Sequence, residues 1–281
     1  MKWKIITALL WKEWRETRWK WAVLLFSLHI PILFFWGALK GPWMSFRGAN
    51  YFLFREIVDS HFAGQAGFIL TGGLFLVAFF ASAISVPELE SRRMFLLFER
   101  PVQRSHLLLL KFCAGGFETI IALGLSLLIT ISFAYAAVLL LSDDVTWSLS
   151  WRPYFHLLGE AFRATLITGG AGLVVFSFTF LLSVVFEKWW VTVAASWIAL
   201  ALFFKFTGYR LLEWVLRFVE VERKFGHWKD LSLEQRKVAS AAWAMEQPNL
   251  LVKPLPLLAL LLVSVAFYLA TLYFFKRKEM K

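Results

Sequence analysis

Charged residues are spaced along the chain in a way that leaves six long runs free of them, covering residues 21–39, 60–87, 119–142, 164–186, 189–204 and 254–275. A helix that crosses a bilayer needs about 20 mostly apolar residues, and five of the runs reach that length directly. The fifth, 189–204, is short, but Lys205 can extend its stem to the interface and lend the helix a further turn. Only Glu187 and Lys188 separate it from the fourth run, which predicts a tight helical hairpin. The pattern therefore predicts an all-α integral membrane protein with six transmembrane helices.

Between the runs the pattern changes. Residues 1–20 interleave Trp3, Trp11, Trp14 and Arg15 with further basic and apolar positions, as in a basic amphipathic helix lying in a membrane interface. The bland alternative is a mere flank that orients the first span. Residues 21–86 then hold spans one and two, 87–106 a loop, 107–206 spans three to five, 207–253 an outer segment, 254–275 span six and 276–281 a tail. In the outer segment, Arg210, Glu213, Arg217, Glu220 and Lys224 step by three or four residues and share one stripe, with Glu preceding its basic partner. Ser232-Leu-Glu-Gln235 reads as a capping box, and Pro248 closes the second element. This predicts an outer helical hairpin between the last two spans.

Composition narrows the class. The chain is 59% hydrophobic and 17% charged, with 30 Phe and 15 Trp. Interfacial belts and lipid-facing surfaces accommodate that aromatic load, and a soluble core of this length does not. The lone Cys113 excludes an intrachain disulfide. The formal net charge of +11 raises the question of nucleic acid, and its distribution answers it. Lys2, Lys4, Lys12, Arg15, Arg18 and Lys20 precede span one. Arg92, Arg93, Arg100, Arg104 and Lys111 follow span two, and Lys188, Lys276, Arg277, Lys278 and Lys281 fall on the same side of a six-span chain. By the positive-inside rule both termini are expected in the cytoplasm of a multi-pass inner-membrane protein, with lipid rather than nucleic acid as the partner of the charge. The basic residues of 207–253 run against this, and neighbouring acids offset much of them.

No Gly-x-x-x-x-Gly-Lys-Ser/Thr phosphate loop is present, so nucleotide hydrolysis is not expected of this chain and it is not expected to be an enzyme. The histidines (His29, His61, His106, His156 and His227) lack metal-ligand spacing, so no metal or cofactor is expected. Glu118 and Arg163 stand near span ends at different depths, and the mid-bilayer acids of a proton-coupled carrier are missing.

The loop 87–106 is the most specific stretch. Met94 and Leu97 form part of an apolar surface, flanked by Glu88, Glu90 and Arg92. Pro101 breaks the helix, and Ser105 is placed to cap the next one. A short amphipathic helix on such a loop can dock on a soluble partner and pass its movement to two spans. Here the sequence resembles the membrane subunit of ABC-2 type ABC transporters. The match lies in Glu88 and Glu90, Leu96-Leu97, Pro101-Val102, Arg104 and Lys111, with Phe98-Glu99-Arg100 a bulkier lead-in to the Pro than that family's. The resemblance implies a translocating subunit of an exporter that pairs with a second copy or a related permease. It also implies a separate ATPase subunit that binds ATP and Mg. Glu88, Glu90, Arg92, Met94, Leu97, Pro101 and Arg104 would be coupling contacts. A membrane scaffold or sensor with a non-ATPase partner, and an ion-coupled carrier, are the alternatives.

Overall fold

The computed structural model describes residues 3–38, 64–90, 104–141, 151–207 and 254–279, and these residues are helical apart from the Glu187–Lys188 turn. No strand occurs among them. Helical segments are what lipid demands, because a spanning segment must satisfy its backbone hydrogen bonds internally. The helices are α1 (Trp3–Ala38), α2 (Leu74–Glu90), α3 (Arg104–Leu141), α4 (Trp151–Phe186), α5 (Trp189–Thr207) and α6 (Pro254–Glu279). A π turn, Ile69–Gly73, leads into α2 from helical residues 64–68. Five segments are long and apolar enough to cross a membrane: Gly64–Ile84, His106–Ala136, Ala161–Phe186, Trp189–Thr207 and Pro254–Arg277.

Three boundaries differ from the sequence expectation. The interfacial helix and first span are not separate elements, because α1 runs unbroken for 36 residues. At 1.5 Å per residue that is about 54 Å, well beyond the bilayer core. Pro87 does not open a loop: α2 continues through it, and Glu88 and Glu90 form its last turn. Ser105 is not a cap, since α3 already begins at Arg104. The predicted hairpin between the fourth and fifth runs is present. Glu187 takes a left-handed conformation (φ 56°), and its N–H donates to the Ser183 carbonyl at 3.0 Å, closing α4. The outer hairpin 207–253 lies outside the described residues except for Thr207, which ends α5.

α4 is the hub, packed by α2, α3, α5 and α6. Small residues let α3 and α4 approach closely. A Cβ placed on Gly115 would stand 2.5 Å from the Phe176 ring, and one on Gly172 would stand 2.5 Å from Leu123. Apolar spans still carry hydroxyls, which donate back one turn: Thr119 to Gly115 at 2.8 Å and Thr168 to Ala164 at 2.9 Å.

Contact pairs fix the helix directions. Gly115 meets Phe176 while Gly124 meets Thr165, so α3 and α4 are antiparallel. Gly170 meets Leu260 and Phe178 meets Phe267, so α4 and α6 run parallel. Phe79 meets Trp189 and Phe75 meets Phe204, so α2 and α5 are antiparallel. α1 runs alongside α3 in the same direction (Glu13 to Lys111, Trp21 to Glu118) and against α2 (Lys20 to Ala83, Leu28 to Gly73). Every pair agrees with a chain that reverses direction at each successive helix. One end of the bundle thus gathers the N-terminal half of α1, the end of α2, the start of α3, the α4–α5 turn and the end of α6. Lys12, Arg15, Arg18, Arg104, Lys111, Lys188, Lys276 and Arg277 all belong to that end.

Candidate functional site

At this basic end, α1 is tied to α2 and α3 by buried polar groups. On α1, Glu13, Thr17 and Trp21 follow one another at four-residue spacing and so share a stripe. On α3, Lys111 and Glu118 are seven residues apart, two turns along one face. All five are buried. The Lys111 ammonium donates to Glu13 Oε2 at 3.0 Å, with side chains only 7% and 9% exposed. Trp21 Nε1 donates to Glu118 Oε2. The Thr17 hydroxyl lies 2.8 Å from Glu118 Oε1 and 2.8 Å from its own i−4 carbonyl at Glu13.

The tie to α2 explains how Pro87 sits inside a helix. Proline has no N–H, so the carbonyl four residues earlier, that of Ala83, loses its helical donor. Lys20 Nζ supplies the replacement at 2.8 Å. One α1 side chain thereby completes the backbone of α2 two turns before its end.

A second polar node lies farther along the same seam. Gln65 Nε2 donates to the Leu28 carbonyl at 3.0 Å and to Ser126 Oγ at 2.7 Å, joining the segment before α2 to α1 and α3. Among the described residues the His29 ring joins no cluster of metal-ligating side chains, and its Nδ1 lies 2.7 Å from the Leu25 carbonyl. Between the two nodes the seam is apolar, with Leu24, Leu123 and Leu127 fully buried.

Two charges in such a place are costly to desolvate, and the Coulomb attraction returns that cost only with good geometry. A buried ion pair therefore adds little net stability, and its main effect is on which helix faces meet. Here it sets α1 against α3 in one register and rotation. The result is a three-helix unit whose polar fasteners lie about two to four helical turns from the two ends, Glu90 and Arg104, that flank residues 91–103.

Of the residues singled out in the sequence, Glu88 and Glu90 are on the last turn of α2 and Arg104 is the first residue of α3, all at this end. Arg92, Met94, Leu97 and Pro101 lie outside the described residues. Trp11, Trp14 and Arg15 are exposed on α1, and Trp3 begins the helix. Glu13 was not singled out from the sequence, and Lys111 was placed among the basic residues after span two and at the end of the ABC-2-like element, not as a partner of α1. The four-residue spacing of Glu13, Thr17 and Trp21, set against the seven-residue spacing of Lys111 and Glu118, was the available signal. Arg163 is half-buried near Thr165, whose partner Gly124 lies more than a turn beyond Glu118, so the two charges do sit at different depths. Comparison with family models, curated proteins and solved structures finds no match for this chain.

Proposed function

We propose that the chain is the membrane-spanning translocation subunit of an ATP-driven exporter of the ABC-2 type, lying in the inner membrane with both termini cytoplasmic. The observation that carries this reading is the polar clamp that joins α1, α2 and α3 at the basic end. A partner that pushes on the 91–103 connection acts on the ends of α2 and α3. Through Lys111–Glu13, Glu118–Trp21 and Lys20–Ala83 the push reaches α1 without slack, and through the close α3–α4 contact it reaches the hub. A nucleotide-driven partner can bias such a unit between two arrangements of the bundle, as alternating access requires.

The rest of the molecule fits this use. α5 and α6 leave broad apolar faces exposed, including Trp190, Ile198 and Phe206 on one and Leu255, Leu262 and Leu269 on the other. Lipid and a second copy of the chain, or a related permease, would cover them. ATP and Mg would be bound by the separate ATPase subunit.

Affinity purification from native membranes tests the reading. The wild-type chain is expected to bring down a protein with a phosphate-binding loop, and replacing Glu88, Glu90 and Arg92 together with Ala is expected to lose it. Undiminished capture by the triple variant would remove the coupling role from these residues. A stoichiometric partner without a nucleotide site would favour the scaffold reading instead.

A further inference from the structure

At the Gln65 node the hydrogen bonds do not balance. The Leu28 carbonyl can only accept, so the Gln65 amide must face it with Nε2, and the orientation of the whole amide follows. Both Nε2 hydrogens are then spent, one on that carbonyl at 3.0 Å and one on Ser126 Oγ at 2.7 Å. An amide nitrogen is no acceptor, so Ser126 receives this bond and keeps its own hydrogen to give. Its hydroxyl has no second partner among the described residues. Gln65 Oε1 has no partner there either, although Gln65 is only 2% exposed and Ser126 is fully buried. One donor and one acceptor are left over, and they belong to two groups already bonded to each other.

Other hydroxyls of α3 do not share this condition. Thr119 and Thr130 each donate to the carbonyl one turn back, at 2.8 Å. Ser126 has the Ala122 carbonyl in the same relative position and does not bond to it. Its depth raises the cost. Ser126 stands eight residues beyond Glu118, about 12 Å farther along α3 and well inside the span His106–Ala136. Within a bilayer an unpartnered polar group is expensive, and such groups face the bundle interior and find a partner there. The partner required here accepts from Ser126 and donates to Gln65 Oε1. Leu24, Leu123 and Leu127, all fully buried, fill the adjoining seam and confine that partner to a small molecule.

We infer that Gln65 and Ser126 form a binding site for one water molecule where α1, α3 and the segment leading into α2 meet. Water both accepts and donates, and buried waters characteristically serve polar groups that the protein leaves unpaired. The bound water accepts from the Ser126 hydroxyl and donates to Gln65 Oε1. Every hydrogen of the amide and the hydroxyl is then used, which holds Gln65 in the one orientation that reaches Leu28. The far node thereby fastens α1 to α3 through a wet joint, as the Glu13–Lys111 pair fastens them at the basic end. This inference concerns the chain alone and stands whether or not an ATPase is its partner.

Solid-state NMR of the full-length chain in lipid bilayers, with magnetisation starting on water, tests it. Transfer to the Gln65 side-chain amide is expected to be several-fold faster than transfer to the backbone N–H groups of Leu24 and Leu127, which are as deeply buried. Ser126→Ala should slow the transfer to Gln65 several-fold, because the water loses its donor. Thr130→Ala removes a hydroxyl bonded only to its own helix and should leave the transfer unchanged. A structure of the wild type at a resolution that shows waters should place one within hydrogen-bonding distance of both Gln65 Oε1 and Ser126 Oγ. Transfer to Gln65 no faster than to the two leucines, or a Ser126 hydroxyl turned onto the Ala122 carbonyl with no water beside it, would overturn the assignment. Should Ser126→Ala fail to assemble, the wild-type comparison of Gln65 with Leu24 and Leu127 decides alone.

Discussion

Replacing Lys111 with Met gives the most exacting test of the clamp. The ammonium lies 3.0 Å from Glu13, and both side chains are over nine-tenths buried. Removing one partner of a buried pair leaves an uncompensated charge, at a typical cost of about 3–5 kcal/mol. Lys111→Met is therefore expected to lose about 3–5 kcal/mol. Glu13→Gln should cost less than Lys111→Met. Lys111 lies only seven residues into α3 and can carry its ammonium towards the interface on its flexible stem, which Glu13 is too short to do. The double variant Glu13→Gln with Lys111→Met removes both charges and should lie within about 1 kcal/mol of the wild type. Equilibrium unfolding of the full chain in bicelles measures the cycle, and tryptic cleavage after Arg15 shows whether the loss is undocking of α1. A double variant as unstable as the two single losses added together, or a harmless Lys111→Met, would refute the reasoning.

Three further outcomes follow from the same contacts. Lys20→Met should cost about 1–3 kcal/mol by orphaning the Ala83 carbonyl; in a Pro87→Ala background, where the backbone N–H returns, thermal unfolding should show most of that cost gone. Gly115→Val should destabilise by at least about 1–3 kcal/mol, because the added carbons run into Phe176, which is fully buried and stacked on Phe180; a thermal midpoint equal to the wild type would contradict the packing described. Ser196 and Thr192 lie one turn apart on α5 with buried hydroxyls that find no partner among the described residues. Ser196→Ala should accordingly leave the thermal midpoint unchanged or raise it, as expected when an unsatisfied group is removed, and a clear loss would show that the hydroxyl is in use.

What could be read in the sequence divides along physical lines. The apolar runs were legible because lipid imposes length and composition directly, and the tight turn at Glu187–Lys188 followed from the two charges between two such runs. The unbroken course of α1 was not legible. Polar residues in its first half look like interfacial positions until α3 is known to meet them, and Glu13, Thr17 and Trp21 carry a meaning only opposite Lys111 and Glu118. Pro87 misled for a related reason. Its local effect is to end a helix, and only a lysine 67 residues earlier, reaching Ala83, removes that effect. Long-range partners of this kind leave at most a spacing signature in the chain.

The central claim is that α1, α2 and α3 move as one body when the 91–103 connection is pushed. Spin labels at Trp11 on α1 and Leu109 on α3, both exposed, report on it in a background where the exposed Cys113 is replaced by Ser. Electron–electron distance measurement on the complex with the proposed ATPase partner should give the same Trp11–Leu109 distance in the nucleotide-free and ATP-bound states. A distance that changes with nucleotide would mean that α1 slides on α3, and the clamp would not be the element that carries the push.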